Sequence, residues 1–333
     1  MASPQTVNVD WGDVTTTTFE SRSGKVVNNL SNNNALWYYI SKGRRLNYFD
    51  GGREIYQELR YAENQSFMWY SGTEFLNVSH NDTMTAARFP IKQASIAVVL
   101  SGLEMIQNSG DEAKLSLIAE RTESAQLSFE NQMSAGVYSD GTGYGGKQIG
   151  GLGLLISKIP SAGVVGGLDR STQVWWRNIS VNANTDARGV VTPTNVLSYM
   201  NSTAIAVKRN GDGANVIVAD NNYYQAYLSQ LQNVQRITSE SGSRGLGFTS
   251  LKYFAVGKEM DVILDGGRNG QIPNNTMYFL NTDYLHLRPS RERNFKVVGG
   301  DRANVNQDAI VRTMFWAGNL TMSNGQTQGV LWQ

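Results

Sequence analysis

The chain has 333 residues and carries 29 Lys+Arg against 28 Asp+Glu, a formal net charge of +1, so no overall field exists to hold a polyanion or a membrane surface. It has no cysteine, which excludes disulfides, thiol catalysis and thiolate metal sites. Charged residues make up only 17%, below the usual quarter or so, while Gly, Asn, Ser and Thr are abundant; a polar, weakly charged surface suits proteins packed against copies of themselves.

The length allows two lobes or one large α+β unit with an ample core. Met1-Ala-Ser-Pro-Gln lacks a basic-then-apolar leader pattern, and apolar runs such as Ile96 to Leu100 are too short to span a membrane. Synthesis in the cytoplasm is the expectation.

Residues 1–32 are rich in Thr, Ser and Asn with little apolar periodicity, and read as an extended arm ordered by its neighbours. Asn34 is expected to cap a short helix over Ala35–Ile40 that ends at Lys42-Gly43. From Arg53 the period turns to two in patches: REIYQELRY, FMWY, then TEFLNV after a Ser71-Gly72 turn. Ala87 to Leu100 reads as the return strand, with Pro90 confining it to an edge. Residues 50–95 therefore predict a long β-hairpin. Its aromatics Phe67, Trp69, Tyr70 and Phe75 would be an aggregation hazard unless another subunit covers them.

Asp111 to Met133 predicts a spine helix. Leu115, Ile118, Thr122, Ala125, Phe129 and Met133 share one face, acidic residues fill the first turn, and Gly136 with Ser139-Asp140-Gly141 supplies a stop. About 23 residues at 1.5 Å rise give roughly 34 Å of rod with one apolar stripe, which needs a sheet or loop laid along it.

A glycine-rich stretch follows over 141–151, then GVVGGLDRS at 163–171 and the pair Trp175-Trp176. Helices are expected over 194–209 and from Asn222 to Leu231, with strands at 215–219, 247–254, 259–264 and 276–281, so that 190–283 reads as an α/β lobe of its own. The last fifty residues return to strand, with Ala309–Met322 the clearest run. Ser323-Asn324-Gly325 predicts a hairpin turn into a closing strand at Val330-Leu331-Trp332. No internal repeat is visible.

The search for chemistry comes up nearly empty. Gly141-Thr-Gly-Tyr-Gly-Gly146-Lys147 approaches a phosphate loop, but Gln148 stands where Ser or Thr should reach magnesium, and the run follows a helix instead of a strand. A flexible connector is the favoured reading, with nucleotide binding over 141–151 as the rival. His80 and His286 have no second ligand at metal spacing. Glu259, Asp261 and Asp265 read as turn or ion-pair residues, as do Glu120 and Glu123. Arg288, Arg291, Arg293 and Lys296 form a basic cluster without interleaved stacking aromatics, which favours ion pairing between subunits over nucleic-acid contact. No catalytic residue, cofactor or metal is expected.

This order of parts resembles the major capsid proteins of tailed double-stranded DNA bacteriophages, whose fold also builds the herpesvirus capsid floor. The likeness in sequence lies in Gly150-Gly-Leu-Gly-Leu-Leu, in Gly167-Leu-Asp-Arg-Ser-Thr followed by Trp175-Trp176-Arg177-Asn178, in YFLNTDYLHLRPS at 278–290, and in Ala309-Ile-Val-Arg-Thr-Met-Phe-Trp-Ala-Gly-Asn-Leu. The resemblance implies an α+β fold with an N-terminal arm (1–40) and an extended β-hairpin loop with its flanks (41–98). It also implies a peripheral domain (99–189, holding spine helix 111–133, and 284–333, holding returning strands) and an α/β axial domain (190–283).

It further implies a non-enzymatic coat protein that self-assembles as hexamers and pentamers into an icosahedral virion head around double-stranded DNA, contacted non-specifically. The expected partners are copies of itself, a scaffolding protein, a portal and a decoration or cement protein, with no membrane. Phe67, Trp69, Tyr70, Phe75, Arg288, Arg291 and Arg293 are the candidate inter-subunit contacts. A nanocompartment-type shell around protein cargo is the alternative within the same resemblance. No receiving Asn or helping Glu matches for a Lys–Asn cross-link from Lys42 or Lys92, so none is expected.

Overall fold

A computed structural model describes residues 33–41, 46–107, 117–234, 251–297, 302–304 and 307–333. The arm (1–32), the start of the expected spine helix (111–116) and the start of the expected strand at 247 lie outside the described residues.

In chain order the elements are α1 (Ala35–Ser41), β1 (Glu54–Arg60), β2 (Met84–Pro90), β3 (Lys92–Ser101), α2 (Gly102–Gln107), α3 (Leu117–Val137), α4 (Gly143–Gly146), α5 (Leu152–Leu155), β4 (Val164–Val165) and β5 (Leu168–Asp169). A 3₁₀ turn (Val174–Trp176) and β6 (Ile179–Asn182) lead to α6 (Val196–Ala206), β7 (Val216–Ala219), α7 (Asn221–Val234), β8 (Leu251–Ala255), β9 (Lys258–Leu264) and β10 (Thr276–Leu280). The chain continues through β11 (Leu285–Pro289), β12 (Lys296–Val297), β13 (Arg302–Asn304), β14 (Gln307–Met322) and β15 (Gly329–Trp332). The chain is α+β.

It divides into two compact units. One comprises the described residues of 94–132 and 292–316; the other comprises those of 33–93, 133–291 and 317–333. In the first, the amino-terminal part of β14 is paired by β3, β12 and β13. Ser101 and Glu104 form a reciprocal cap at the start of α2: the Ser101 N–H donates to Glu104 Oε2 (3.0 Å) and the Glu104 N–H to Ser101 Oγ (3.3 Å). Glu104 also takes a two-pronged contact from Arg121 on α3, at 2.8 and 3.2 Å. Partial burial works against ionisation of Glu104, but Arg121 and the Ser101 N–H hold its carboxyl below the usual range. Phe129 of α3 packs edge-on against Phe295, ring centroids 5.0 Å apart.

The second unit is built on a six-stranded mixed sheet in the order β6-β15-β10-β7-β9-β8. Its central strands read VIVA and TMYFL, apolar without alternation, because both faces are covered. One face carries Ile217, Ala219, Val262, Met277, Phe279 and Leu331 into a core shared with Tyr199, Met200 and Ala204 of α6 and Tyr223 and Tyr227 of α7. On the other face Tyr278 meets Tyr138, centroids 6.1 Å apart.

The spine helix ends at Val137, within the expected stop, with Gly136 buried inside it against Ile149. Three expectations change. Helix α7 is capped not by Asn222 but by buried Asp220, whose Oδ1 accepts the Tyr223 N–H at 3.0 Å. Asn324-Gly325 does not close a hairpin: β14 pairs with β11, while β15 lies in the other sheet between β6 and β10. The reason is burial. Val330 and Leu331 are fully enclosed and require neighbours on both sides. The connection is pinned by Gln328, which exchanges hydrogen bonds with both backbone groups of Asn281 (2.9 Å each), and by Gly325, where a Cβ would come within 2.5 Å of the Trp176 carbonyl. Finally, the 141–151 stretch is packed at its end: Gly151 is buried, and a Cβ on it would lie 2.4 Å from the Gly136 and Val137 carbonyls, whereas Gly145 and Gly146 face open space.

Candidate assembly surfaces

Strands β1 and β2 form an antiparallel hairpin in register from Glu54↔Pro90 to Arg60↔Met84. Ile55, Leu59, Ala87 and Phe89 supply its buried face, the alternation that REIYQELR and the return strand predict. The pairing ends there. The expected strands FMWY and TEFLNV are irregular, and Asn side chains accept backbone donors on the flanks of both. Asn64 Oδ1 accepts the Ser66 N–H (3.0 Å) and a bond from Asn81 across the loop (2.9 Å), and Asn77 accepts the Ser79 N–H (3.1 Å). At the tip the chain turns at Gly72, and the Ser71 N–H donates to Glu74 Oε2 (3.2 Å).

The four aromatic candidates lie on this tip. Trp69 is 88% exposed and Phe75 99%, with Phe67 and Tyr70 also open; Phe67 and Trp69 touch edge-to-face at 5.5 Å. Leu76 and Val78 extend the apolar surface. Nothing in the described chain covers it.

The paired part of the hairpin is anchored at both ends. At the tip-side end Tyr61 stacks on Trp175 at 5.5 Å, and nearer the base the Arg88 N–H donates to the Gly166 carbonyl (2.8 Å). Half-buried Arg288 donates to Gln57 Oε1 (2.6 Å) and the Tyr56 carbonyl (3.4 Å), and burial lowers its pKa. Arg291 pairs with Asp50 at 2.8 Å. Arg293 lies 5.6 Å over the Phe315 ring. The basic cluster thus has partners within the chain: Arg288 and Arg291 serve the hairpin and the segment before it, whereas Arg293 packs on β14.

A polar centre sits behind the sheet, at an Asp whose place in the sequence predicts a turn or an ion pair. Asp265, fully buried at the end of β9, accepts the Ala35 N–H at 2.6 Å and the Leu36 N–H, and so caps α1; Asn34, expected in that role, accepts the Tyr38 N–H with its carbonyl. The Tyr138 hydroxyl donates to the other carboxylate oxygen of Asp265. Burial pushes the Asp265 carboxyl up to about 6 against the pull of these three donors, and burial with the neighbouring carboxylate raises Tyr138. The apolar run Val262-Ile-Leu264 before Asp265-Gly-Gly was the available sign. Glu259, by contrast, does serve in an ion pair, with Lys252 at 2.6 Å.

The 141–151 stretch offers no phosphate cradle. Helix α4 has four residues, with Tyr144 and Gly145 in left-handed backbone, and the Gly146 carbonyl accepts a bond from Lys92. His80 is exposed on the hairpin tip, and no group of three metal-type ligands occurs among the described residues.

No protein-family model matches the chain, and no curated protein is similar to it. Its fold does match solved structures. A chain of the cyanophage A-1(L) capsid asymmetric unit superposes with a TM-score of 0.68 at 13% identity, covering 94% of this chain and 96% of that one. The capsid of the native GTA particle matches with a TM-score of 0.61 at 10% identity over 99% of both chains. The capsid of Myoviridae phage XM1 matches at 0.57 and 12% identity over 94% and 96%. The chain has the phage capsid fold.

Proposed function

We propose that this chain is the major capsid protein of a tailed double-stranded DNA phage, assembling as hexamers and pentamers into the icosahedral head. The observation that carries the reading is the extent of the fold match: nearly all of this chain corresponds to nearly all of each capsid chain, with neither partner contributing a large extra part. The role is structural and not enzymatic, and its place is the virion shell. On this reading the hairpin is the extended loop that lies over a neighbouring subunit, α3 and the β14 sheet belong to the peripheral domain, and the six-stranded sheet with α6 and α7 forms the axial domain. A scaffolding protein, a portal and a decoration protein complete the assembly, and packaged DNA is contacted non-specifically.

The exposed tip supports this physically. Phe67, Trp69, Tyr70 and Phe75 on one irregular loop form a surface that a lone soluble chain would rarely leave open. The test is electron microscopy of the purified protein, alone and with its scaffolding partner. Closed shells or capsomer rings are expected, and monomer under both conditions would sink the reading. Trp69→Asp and Phe75→Asp should each reduce assembly by at least tenfold while leaving the circular dichroism spectrum unchanged, since neither side chain contributes to the buried core.

A further inference from the structure

One cleft of about 460 Å³ opens between the 3₁₀ turn, the end of α6 and the connection before β15. Arg177, Lys208 and Arg209 line it, while Val174, Ile179 and Ala206 give it an apolar wall. Arg177 spends Nε on the Arg170 carbonyl (2.6 Å) and Nη2 on the Ser171 carbonyl (2.7 Å). Lys208 Nζ donates to the Val256 carbonyl (2.9 Å), and Arg209 reaches Gln326 Oε1 at 3.5 Å. Each cation is steered by neutral oxygens and keeps donors to spare. Asp169 feels the Arg177 charge from a distance, but none of the three cations forms an ion pair among the described residues. Three cations with no carboxylate partner on a half-apolar cleft call for an anionic ligand with an apolar part.

The chain carries a segment of that chemistry. Residues 61–83 contain Glu63, Glu74 and Asp82 and no Lys or Arg, beside the exposed aromatics of the hairpin tip. Glu74 is followed directly by Phe75, so one dipeptide presents a carboxylate and an apolar ring together. In its own chain Phe75 is 99% exposed, so it does not occupy its own cleft. A phosphodiester backbone would satisfy the cations but leave Val174, which is 61% exposed, uncovered.

We infer that the cleft of Arg177, Lys208 and Arg209 receives the Glu74–Phe75 tip of a second copy of this chain. This rests on the capsid reading above and names the receiving surface within it. The attraction across the contact sets register and pairing as well as strength.

The test is a charge exchange in the full-length chain, under the conditions in which the unaltered chain assembles, read as the sedimenting fraction and by electron microscopy. Lys208→Glu with Arg209→Glu, and separately Glu74→Lys, should each lower the assembled fraction at least tenfold. Placed together in one chain they should return it to within about threefold of the original. The milder pair Lys208→Gln and Arg209→Gln keeps the comparison open if the reversed pair folds poorly; it should lower assembly about threefold and gain nothing from Glu74→Lys. The inference fails if the altered clefts assemble as well as the original. It fails equally if Asp10→Lys with Asp13→Lys in the arm restores assembly in place of Glu74→Lys, or if only the DNA content of normal shells changes. An unaltered chain that never assembles would instead remove the capsid reading and the inference with it.

Discussion

Asp265 concentrates several costs in one side chain. A carboxylate at zero exposure loses its hydration, and three donors, from Ala35, Leu36 and Tyr138, replace part of it. Because burial wins, the folded-state pKa of about 6 lies above the ordinary value of 3.8. Between those values the folded chain holds a proton that the unfolded chain has released. Stability from this group is therefore full below about pH 4 and lost as pH rises through about 6, by up to about 3 kcal/mol. Asp265→Asn keeps the size and one acceptor oxygen but does not titrate, so it should flatten that part of the stability curve, measured by denaturant unfolding from pH 4 to 7. A slope unchanged in the variant would assign the pH dependence to another group. Sequence offers a sign of Asp265's burial in the apolar run before it but none of its partners: Asp265 and Ala35 are 230 positions apart, and Glu259, its neighbour in the same acidic group, is an ordinary surface ion pair.

At the scale of elements, the hairpin and the buried α/β sheet were legible because their residues announce a period. Alternation in β1 and β2 and unbroken apolar runs in β7 and β10 each follow from how many faces are covered. What stayed hidden are junctions where one side chain answers several backbones. Asn319, buried on β14, accepts the Gly150 N–H (3.0 Å) and donates to the Pro90 carbonyl (2.8 Å), joining the glycine-rich turn to the end of the hairpin. Asn319→Leu preserves volume and removes both bonds, and should cost about 2–4 kcal/mol in chemical denaturation. A loss below about 0.5 kcal/mol would mean that water replaces the amide without penalty. At the tip of the hairpin the period of FMWY and TEFLNV predicts strand where the chain is irregular: Asn64 and Asn77 offer local acceptors beside both runs, which hydrophobic period alone does not register.

At the scale of the whole molecule, the proposed capsid role predicts that the unassembled chain and the assembled one differ most at residues 61–83. Chymotrypsin should cut free subunits first at Phe67, Trp69, Tyr70 or Phe75, and assembly should slow that cleavage at least tenfold; equal rates in both states would place the tip outside any contact. The capsid fold itself was readable from the order of parts, while the route of the chain near its end was not, since Asn324-Gly325 imitates a hairpin turn. That route has a consequence for synthesis. Strand β15 sits inside the six-stranded sheet, parallel to β6 and antiparallel to β10, so Ile179 waits for Gly329, made 150 residues later. Until Trp332 leaves the ribosome, β6 has no neighbour and β10 has an open side. A nascent chain is thus held short of its finished six-stranded sheet until β15 is made.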